Sequence, residues 1–102
     1  MIRRLTHQEA KAFLDAHPEA VLLDVREEAE YITGHASDAL LLPVDELSDE
    51  TALDAIPDYD TPVLVYCRSG YRSNVAAHKL ADYGYTQIYD LGSLIGWPYG
   101  LV

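Results

Sequence analysis

The sequence predicts an α/β fold, in which a mostly parallel sheet is covered by helices on both faces. Short apolar runs of strand length alternate along the whole chain with stretches that carry helix-start and helix-stop signals. Strands that alternate with helices form βαβ units, and the strands of such units run parallel. No internal repeat or linker divides the 102 residues, so we expect one domain over residues 1–102.

Four short, mostly apolar runs are the predicted strands. The clearest lies at 63–66, between Pro62 and Cys67. The others lie at 21–23, 40–42 and 87–89. Runs of this length, closed by polar or turn-forming residues, are typical of strands that are buried in a sheet.

Helix signals fill the intervals between these runs. Thr6 and Glu9 have the spacing of a capping box, and the helix that they begin is expected to end at His17-Pro18. Further helices are expected at 27–32, at 44–56 as one or two short helices, and from the end of the 67–72 loop to about Tyr83. Their predicted boundary residues are Gly34, Ser48, Pro57 and Gly84.

Charge and cysteine content restrict the partners and the compartment. The formal net charge is −10, and nucleic acids and anionic membranes both require a basic surface, so neither is expected as a partner. The single cysteine excludes a disulfide within the chain and is typical of a reducing compartment. Arg3 and Arg4 are not followed by the apolar stretch of a signal peptide, and no run has the length of a membrane span. We therefore expect a cytoplasmic protein.

The residues that carry chemistry follow the predicted strand at 63–66. Cys67 comes at its carboxyl end, where parallel sheets bind their ligands, and Arg68 and Arg72 are two of only seven basic residues. Gly70 permits a turn with positive φ, and the helix that follows begins with backbone N–H groups that have no helical partner. Such groups bind anions, and with the arginines they favour thiolate over thiol. Cys67 is therefore the candidate nucleophile.

Four stretches of the chain resemble the rhodanese family of single-domain sulfurtransferases. They are 22–26 (Leu-Leu-Asp-Val-Arg), 30–35 (Glu-Tyr-Ile-Thr-Gly-His), 67–73 (Cys-Arg-Ser-Gly-Tyr-Arg-Ser), and the late Gly92 with Trp97. The resemblance extends from about Thr6 to Trp97, and the Cys loop at 67–73 is its most specific part. It implies a rhodanese-like three-layer fold with a central five-stranded sheet and Cys67 at the carboxyl edge.

The resemblance also implies a reaction. Thiosulfate, a small anionic donor, would give its outer sulfur to Cys67, and the resulting persulfide would pass that sulfur to a thiol, a protein thiol or cyanide. Arg68 and Arg72 would attract the donor and stabilise the departing sulfite, while backbone N–H groups of the loop would shelter the persulfide. The predicted substrate-binding residues are Arg68, Ser69, Gly70, Tyr71 and Arg72. No cofactor is implied, and one cysteine with scattered histidines offers no metal-ligand spacing.

Four residues outside the loop are candidates for supporting roles, namely Asp24, Arg26, Glu30 and His35. Asp24 and Arg26 follow a predicted strand end and favour a structural ion pair, with Glu30 as a partner of Arg26. His35 follows Gly34 and is expected to cap or hydrogen-bond the loop backbone rather than to act on substrate. Trp97 is expected to cover the core, since Trp buries a large area.

The sequence departs from the family pattern at two places. After Gly34-His35 it has 36–38 (Ala-Ser-Asp), where the family often has Ile, a small residue and a second Gly. The late Gly-Gly pair of the family stands here as Gly92-Ser93. Pocket shape and acceptor choice are the properties that these differences affect.

Other functions use the same features. Cys-based phosphatases also place Cys and Arg around an anion-binding loop, but with the spacing Cys-x5-Arg, whereas Cys67 and Arg72 enclose four residues. The shorter loop fits a single sulfur better than a tetrahedral phosphate. A non-catalytic sulfur-binding or sensing module is the other alternative, although family members of that kind commonly lack the Cys. A purely structural interpretation makes Cys67 a small buried hydrophobe.

Overall fold

A five-stranded parallel sheet forms the centre of the molecule. The computed structural model describes residues 2–102. Its strands are β1 (Ile2–Arg4), β2 (Val21–Asp24), β3 (Leu40–Leu41), β4 (Val63–Cys67) and β5 (Ile88–Ser93). They lie in the order β1-β5-β4-β2-β3, and every neighbouring pair is parallel. The predicted α/β fold with its parallel sheet is confirmed.

Four α-helices connect the strands. They are α1 (His7–Ala16), α2 (Glu28–Thr33), α3 (Asp49–Ala55) and α4 (Tyr71–Tyr83), with a 3-10 turn at Val44–Glu46. The predicted capping box of α1 is present, because the side chain of Thr6 accepts from the N–H of Glu9 and that of Glu9 accepts from the N–H of Thr6. Ser48 caps α3, and Gly84, with φ 110°, ends α4 as the sequence predicts.

The side chains of β4 alternate between two buried layers. Val63, Val65 and Cys67 face the core layer covered by α3 and α4, whereas Leu64 and Tyr66 face the layer covered by α1. Successive side chains of a strand point to opposite faces, so this alternation follows from strand geometry. It directs the Cys67 side chain toward the α4 layer.

Two features of the sheet differ from the sequence expectation. The edge strand β1 has no apolar run, since Ile2 is followed by Arg3 and Arg4, and it joins the sheet by pairing with β5, with Ile2 packed against the core. The last strand runs to Ser93 rather than ending at Tyr89, with a register shift opposite Val65 and Tyr66. The register shift brings Ser93 beside Cys67 at the carboxyl edge of the sheet.

None of the helices within residues 2–102 combines the length and the apolar composition that crossing a bilayer requires.

Candidate active site

Cys67 is the last residue of β4, and three residues separate it from α4. Gly70 ends this short loop with φ 99° and ψ −14°, the left-handed conformation that the sequence predicts for it. The turn brings the Gly70 N–H to 2.9 Å from the Cys67 Sγ atom, to which it donates a hydrogen bond. The strand end and the glycine together hold the sulfur at the start of α4.

Cys67 is fully buried, with a relative exposure of 0%. It packs in the core layer under α4, as a structural cysteine would. Two features distinguish it from an inert core residue: the hydrogen bond from Gly70 and the charge of Arg72 within Coulombic range. A reagent can therefore reach the sulfur only if the surrounding loop or side chains move.

Backbone donors surround this loop. The N–H groups of Tyr71, Arg72 and Ser73 lie in the first turn of α4, where a helix has no acceptor for them. The Ser73 hydroxyl donates a hydrogen bond to the Gly70 carbonyl at 3.1 Å. The helix N-terminus thus supplies partial positive charge beside Cys67.

The end of strand β5 packs against the Cys loop. Gly92 has φ 72°, and its N–H donates to the buried Asp90 carboxylate at 2.8 Å. A Cβ atom at Gly70 would lie 3.7 Å from the Gly92 Cα atom, so the two backbones are in close contact. The Ser93 hydroxyl donates to the carbonyl of Arg68. Sequence reasoning missed Asp90 and Ser93 as supports, although Asp-x-Gly is a recognisable turn signal.

Glu30 and Arg72 form a two-contact ion pair across the loop. The Nη1 and Nη2 atoms of Arg72 lie 2.6 and 2.9 Å from the two carboxylate oxygens of Glu30. Hydrogen bonding to Arg72 lowers the pKa of Glu30 from 4.5 to about 2, and the same bond raises the pKa of Arg72. The expectation that Glu30 would pair with Arg26 is wrong, because α2 directs the carboxylate toward α4.

Arg26 pairs with Asp24 inside the protein. Its Nη2 and Nε atoms lie 2.6 and 2.9 Å from the two oxygens of a carboxylate that is completely buried, and the Arg26 backbone N–H donates to the same carboxylate. The Tyr66 hydroxyl also donates to Asp24, at 2.6 Å. Hydrogen bonding to Asp24 raises the pKa of Arg26, and burial raises that of Tyr66. The predicted Asp24–Arg26 ion pair is present, and Tyr66 was not anticipated.

This buried cluster also fixes the turn that follows α2. Arg26 Nη2 donates to the Gly34 carbonyl at 2.8 Å, and the Tyr66 hydroxyl accepts from the N–H of Ala36 at 3.2 Å. His35, between them, stacks on Tyr31 at 3.7 Å and hydrogen-bonds its carbonyl at 2.9 Å. The structure gives His35 contacts with the backbone, in keeping with the capping role expected for it.

Two cavities flank the loop. One, of about 310 Å³, is lined by the side chains of Arg68, Glu30 and Arg26 together with Leu94, Ile95, Trp97 and Leu101. The other, of about 270 Å³, is lined by Tyr71, Arg72, Val75 and Lys79 on α4 and by Val25, Glu27, Val44 and Asp45. Arg68 and Ser69 are exposed, and Tyr71 is 76% exposed at the rim. Trp97 packs on the α1-side core and also lines the first cavity.

Within residues 2–102 no three histidine, cysteine or acidic side chains lie close enough together to hold a metal ion. A further cavity, of about 470 Å³, lies between α1 and the 37–38 turn, and none of the residues of the Cys loop lines it.

Known proteins are similar in sequence to this chain. A protein of Erwinia tasmaniensis described as tRNA uridine(34) hydroxylase is 36% identical over an aligned length of 86 residues, and the match covers 81% of this chain and 24% of that protein. The chain therefore spans about a quarter of the length of this curated relative.

Solved structures are also similar to this chain. A rhodanese with anions from E. coli is 31% identical with a TM-score of 0.75, and the match covers 81% of this chain and 96% of that one. A thiosulfate sulfurtransferase from Pseudomonas aeruginosa is 36% identical with a TM-score of 0.81, over 93% of this chain and 18% of that one. The family described as Rhodanese-like domain matches residues 6–97, and the chain belongs to that family.

Proposed function

We propose that this chain is a sulfurtransferase that carries a sulfane sulfur on Cys67. The observation that carries the proposal is the hydrogen bond of 2.9 Å from the Gly70 N–H to Cys67 Sγ, at the start of α4. A donor aimed at sulfur stabilises a thiolate and, after transfer, a persulfide anion more than it stabilises a neutral thiol. The family membership and the similarity to a thiosulfate sulfurtransferase support the same chemistry.

The first half-reaction is a displacement at sulfur. The Cys67 thiolate attacks the outer sulfur of thiosulfate, a new S–S bond forms, and the old S–S bond breaks. Sulfite leaves with the electron pair of that bond, so a thiolate and a dianion give a persulfide anion and a dianion. No oxidant, reductant or proton is consumed. Arg72 and the exposed Arg68 are the cations that balance the charge of donor and leaving group.

The second half-reaction returns the enzyme to its starting state, with Cys67 as a thiolate. An acceptor nucleophile, such as cyanide or a thiolate, attacks the outer sulfur of the persulfide, and Cys67 leaves as a thiolate. This is covalent catalysis that divides one transfer into two steps. An RNA acceptor is disfavoured, because a net charge of −10 opposes binding to a polyanion.

An intact-mass experiment tests the proposal. The reduced protein is treated with thiosulfate, excess donor is removed, and we expect a gain of about 32 Da, one sulfur atom held covalently. The adduct should lie on the peptide that contains Cys67, and it should disappear with cyanide as an equal amount of thiocyanate forms. Hydrolysis of an aryl phosphate without a sulfur adduct would point instead to phosphatase chemistry.

The matched variant is Cys67→Ser. Serine has nearly the same size, so the fold should persist, but a hydroxyl neither ionises near neutral pH nor holds a sulfane sulfur. We expect no adduct and no thiocyanate above the uncatalysed rate. Substantial transfer by this variant, or no adduct on the native protein from any sulfane donor, would contradict the proposal.

A further inference from the structure

The Glu30–Arg72 pair has the geometry of a bound anion. Two oxygens of one carboxylate face two nitrogens of one guanidinium at 2.6 and 2.9 Å. A guanidinium fork binds any anion that presents two oxygens in this way, including a sulfonate. The Arg72 side chain next to Cys67 is therefore already occupied by an internal carboxylate.

The pair also divides the space around the Cys loop. Glu30 lines the cavity of about 310 Å³ that Arg68 also lines, and Arg72 lines the cavity of about 270 Å³ that Tyr71 also lines. Cys67 lines neither cavity and has no exposed surface. One member of the ion pair thus lines each cavity, and the sulfur is exposed to neither of them.

We propose that Glu30 is an internal competitor of the sulfur donor, and that its ion pair with Arg72 is a latch over Cys67. The proposal rests on the sulfurtransferase function above. The anionic end of the donor takes the place of the Glu30 carboxylate on Arg72, the two cavities join, and the outer sulfur of the donor gains access to Cys67 Sγ. Glu30 then acts as a positioning residue that selects for donors able to displace it.

An anion, rather than a proton, is the agent that opens the latch. The pKa of Glu30 is about 2, because Arg72 stabilises its charged form, so the carboxylate remains ionised at neutral and mildly acidic pH. The two side chains are 28% and 30% exposed, so water can replace each partner as the pair separates. Arg68 is exposed and forms no ion pair within residues 2–102, so it is free to receive the donor first.

The test compares Glu30→Gln with Glu28→Gln. Glu28 lies on the same helix, is exposed and has no ion pair within residues 2–102, so its substitution removes the same charge without touching Arg72. Iodoacetamide, a neutral reagent, labels the single cysteine, and intact mass gives the rate. We expect Glu30→Gln alone to raise the plateau rate at high pH about two- to fivefold, the factor for a partly exposed ion pair.

The plateau rate of alkylation distinguishes a change in access to Cys67 from a change in the electrostatic surroundings of the sulfur. Loss of a nearby negative charge by itself moves the pH midpoint of alkylation and leaves the plateau rate unchanged, which would overturn the latch. In the transfer assay we expect KM for thiosulfate to fall by a similar factor while kcat changes little. A higher KM would overturn the proposal, since it would mean that Glu30 holds Arg72 ready for the donor.

Two further results keep the inference separate from the proposed function. Glu30→Asp, which retains the charge on a shorter side chain, should give an intermediate plateau rate, and a rate equal to that of Glu30→Gln would count against an ion-pair latch. If no sulfane donor gives an adduct with any variant but alkylation still responds to Glu30→Gln alone, the sulfurtransferase proposal fails, and with it the role of Glu30 toward a donor, while the control of access to Cys67 by the ion pair stands.

Discussion

The molecule contains two arginine–carboxylate pairs of the same shortest distance in different surroundings. Arg26 Nη2 and Asp24 Oδ2 are 2.6 Å apart, and the side chains are 9% and 0% exposed. Arg72 Nη1 and Glu30 Oε1 are also 2.6 Å apart, but these side chains are 28% and 30% exposed. Distance therefore does not separate the two pairs, whereas burial does. The contrast assigns them opposite roles, one as part of the fold and one as an exchangeable contact.

Burial acts through the cost of an unpaired charge. The Asp24 carboxylate also accepts from Tyr66 and from the backbone of Arg26, and solvent does not reach it to replace a lost partner. Around Glu30, solvent reaches both members and compensates for their separation. The buried pair holds β2, β4 and the turn at 34–36 together, whereas the Glu30–Arg72 pair is the one that we propose to open during turnover.

The largest effect on stability is expected from Asp24→Ala. It leaves the Arg26 guanidinium buried without its carboxylate, and breaking a buried pair in this way costs about 3–5 kcal/mol. The matched change is Glu30→Ala, for which we expect a loss of about 1 kcal/mol or less. Urea unfolding monitored by circular dichroism gives both free energies of unfolding.

Tyr66→Phe is the alternative test of the buried pair if Asp24→Ala does not fold. It removes one donor to Asp24 and the acceptor of the Ala36 N–H, and leaving such groups unsatisfied costs about 1–3 kcal/mol. Equal losses for Asp24→Ala and Glu30→Ala, or no loss in Tyr66→Phe, would remove the distinction between the two pairs.

The next effect concerns catalysis at the partly exposed pair, Glu30–Arg72. Arg72→Ala removes the cation that we propose the donor takes over from Glu30, so KM for thiosulfate should rise and kcat/KM should fall by about 1.5–3 kcal/mol in free-energy terms. Arg72→Lys should recover only part of this loss, because an ammonium cannot form the two-point contact. Steady-state kinetics with thiosulfate and cyanide measure both. Unchanged kinetics in the alanine variant would place Arg72 outside the site.

Sequence reasoning succeeded where the signal is local. The strand ending at Cys67, the glycine with positive φ at Gly70 and the C-cap at Gly84 each depend on a few adjacent residues. The pairing of Asp24 with Arg26 is also local, since the two residues are only two positions apart and the Arg26 side chain turns back to the strand end. Local signals of this kind are sufficient to place the candidate nucleophile at the carboxyl end of β4.

The partner of Glu30 was beyond such reasoning. Glu30 and Arg72 are 42 residues apart, and their contact depends on how α2 and α4 approach across the sheet edge. The burial of Cys67 was only one of two alternatives at the sequence level, because a residue just past a strand end can face solvent or core depending on the register of the neighbouring strand. Strand β1 was not predicted, because its two arginines leave no apolar run and its place in the sheet depends on pairing with β5.

The smallest effect is the pH dependence of the stability that Glu30 contributes, which tests whether the partly exposed pair is as weak as its surroundings indicate. The pKa of Glu30 falls from 4.5 to about 2 in the folded protein, so its contribution to stability is present above about pH 4.5 and is lost as pH falls through about 2. We expect the unfolding free energy of the native protein to exceed that of Glu30→Gln by about 1 kcal/mol or less near neutral pH. The difference should shrink as the pH is lowered, and urea titrations at several pH values measure it. A difference that grew toward acid pH would mean that Glu30 is destabilising when charged, and a difference of several kcal/mol would make the Glu30–Arg72 pair as firm as the buried one and too costly to open in each catalytic cycle.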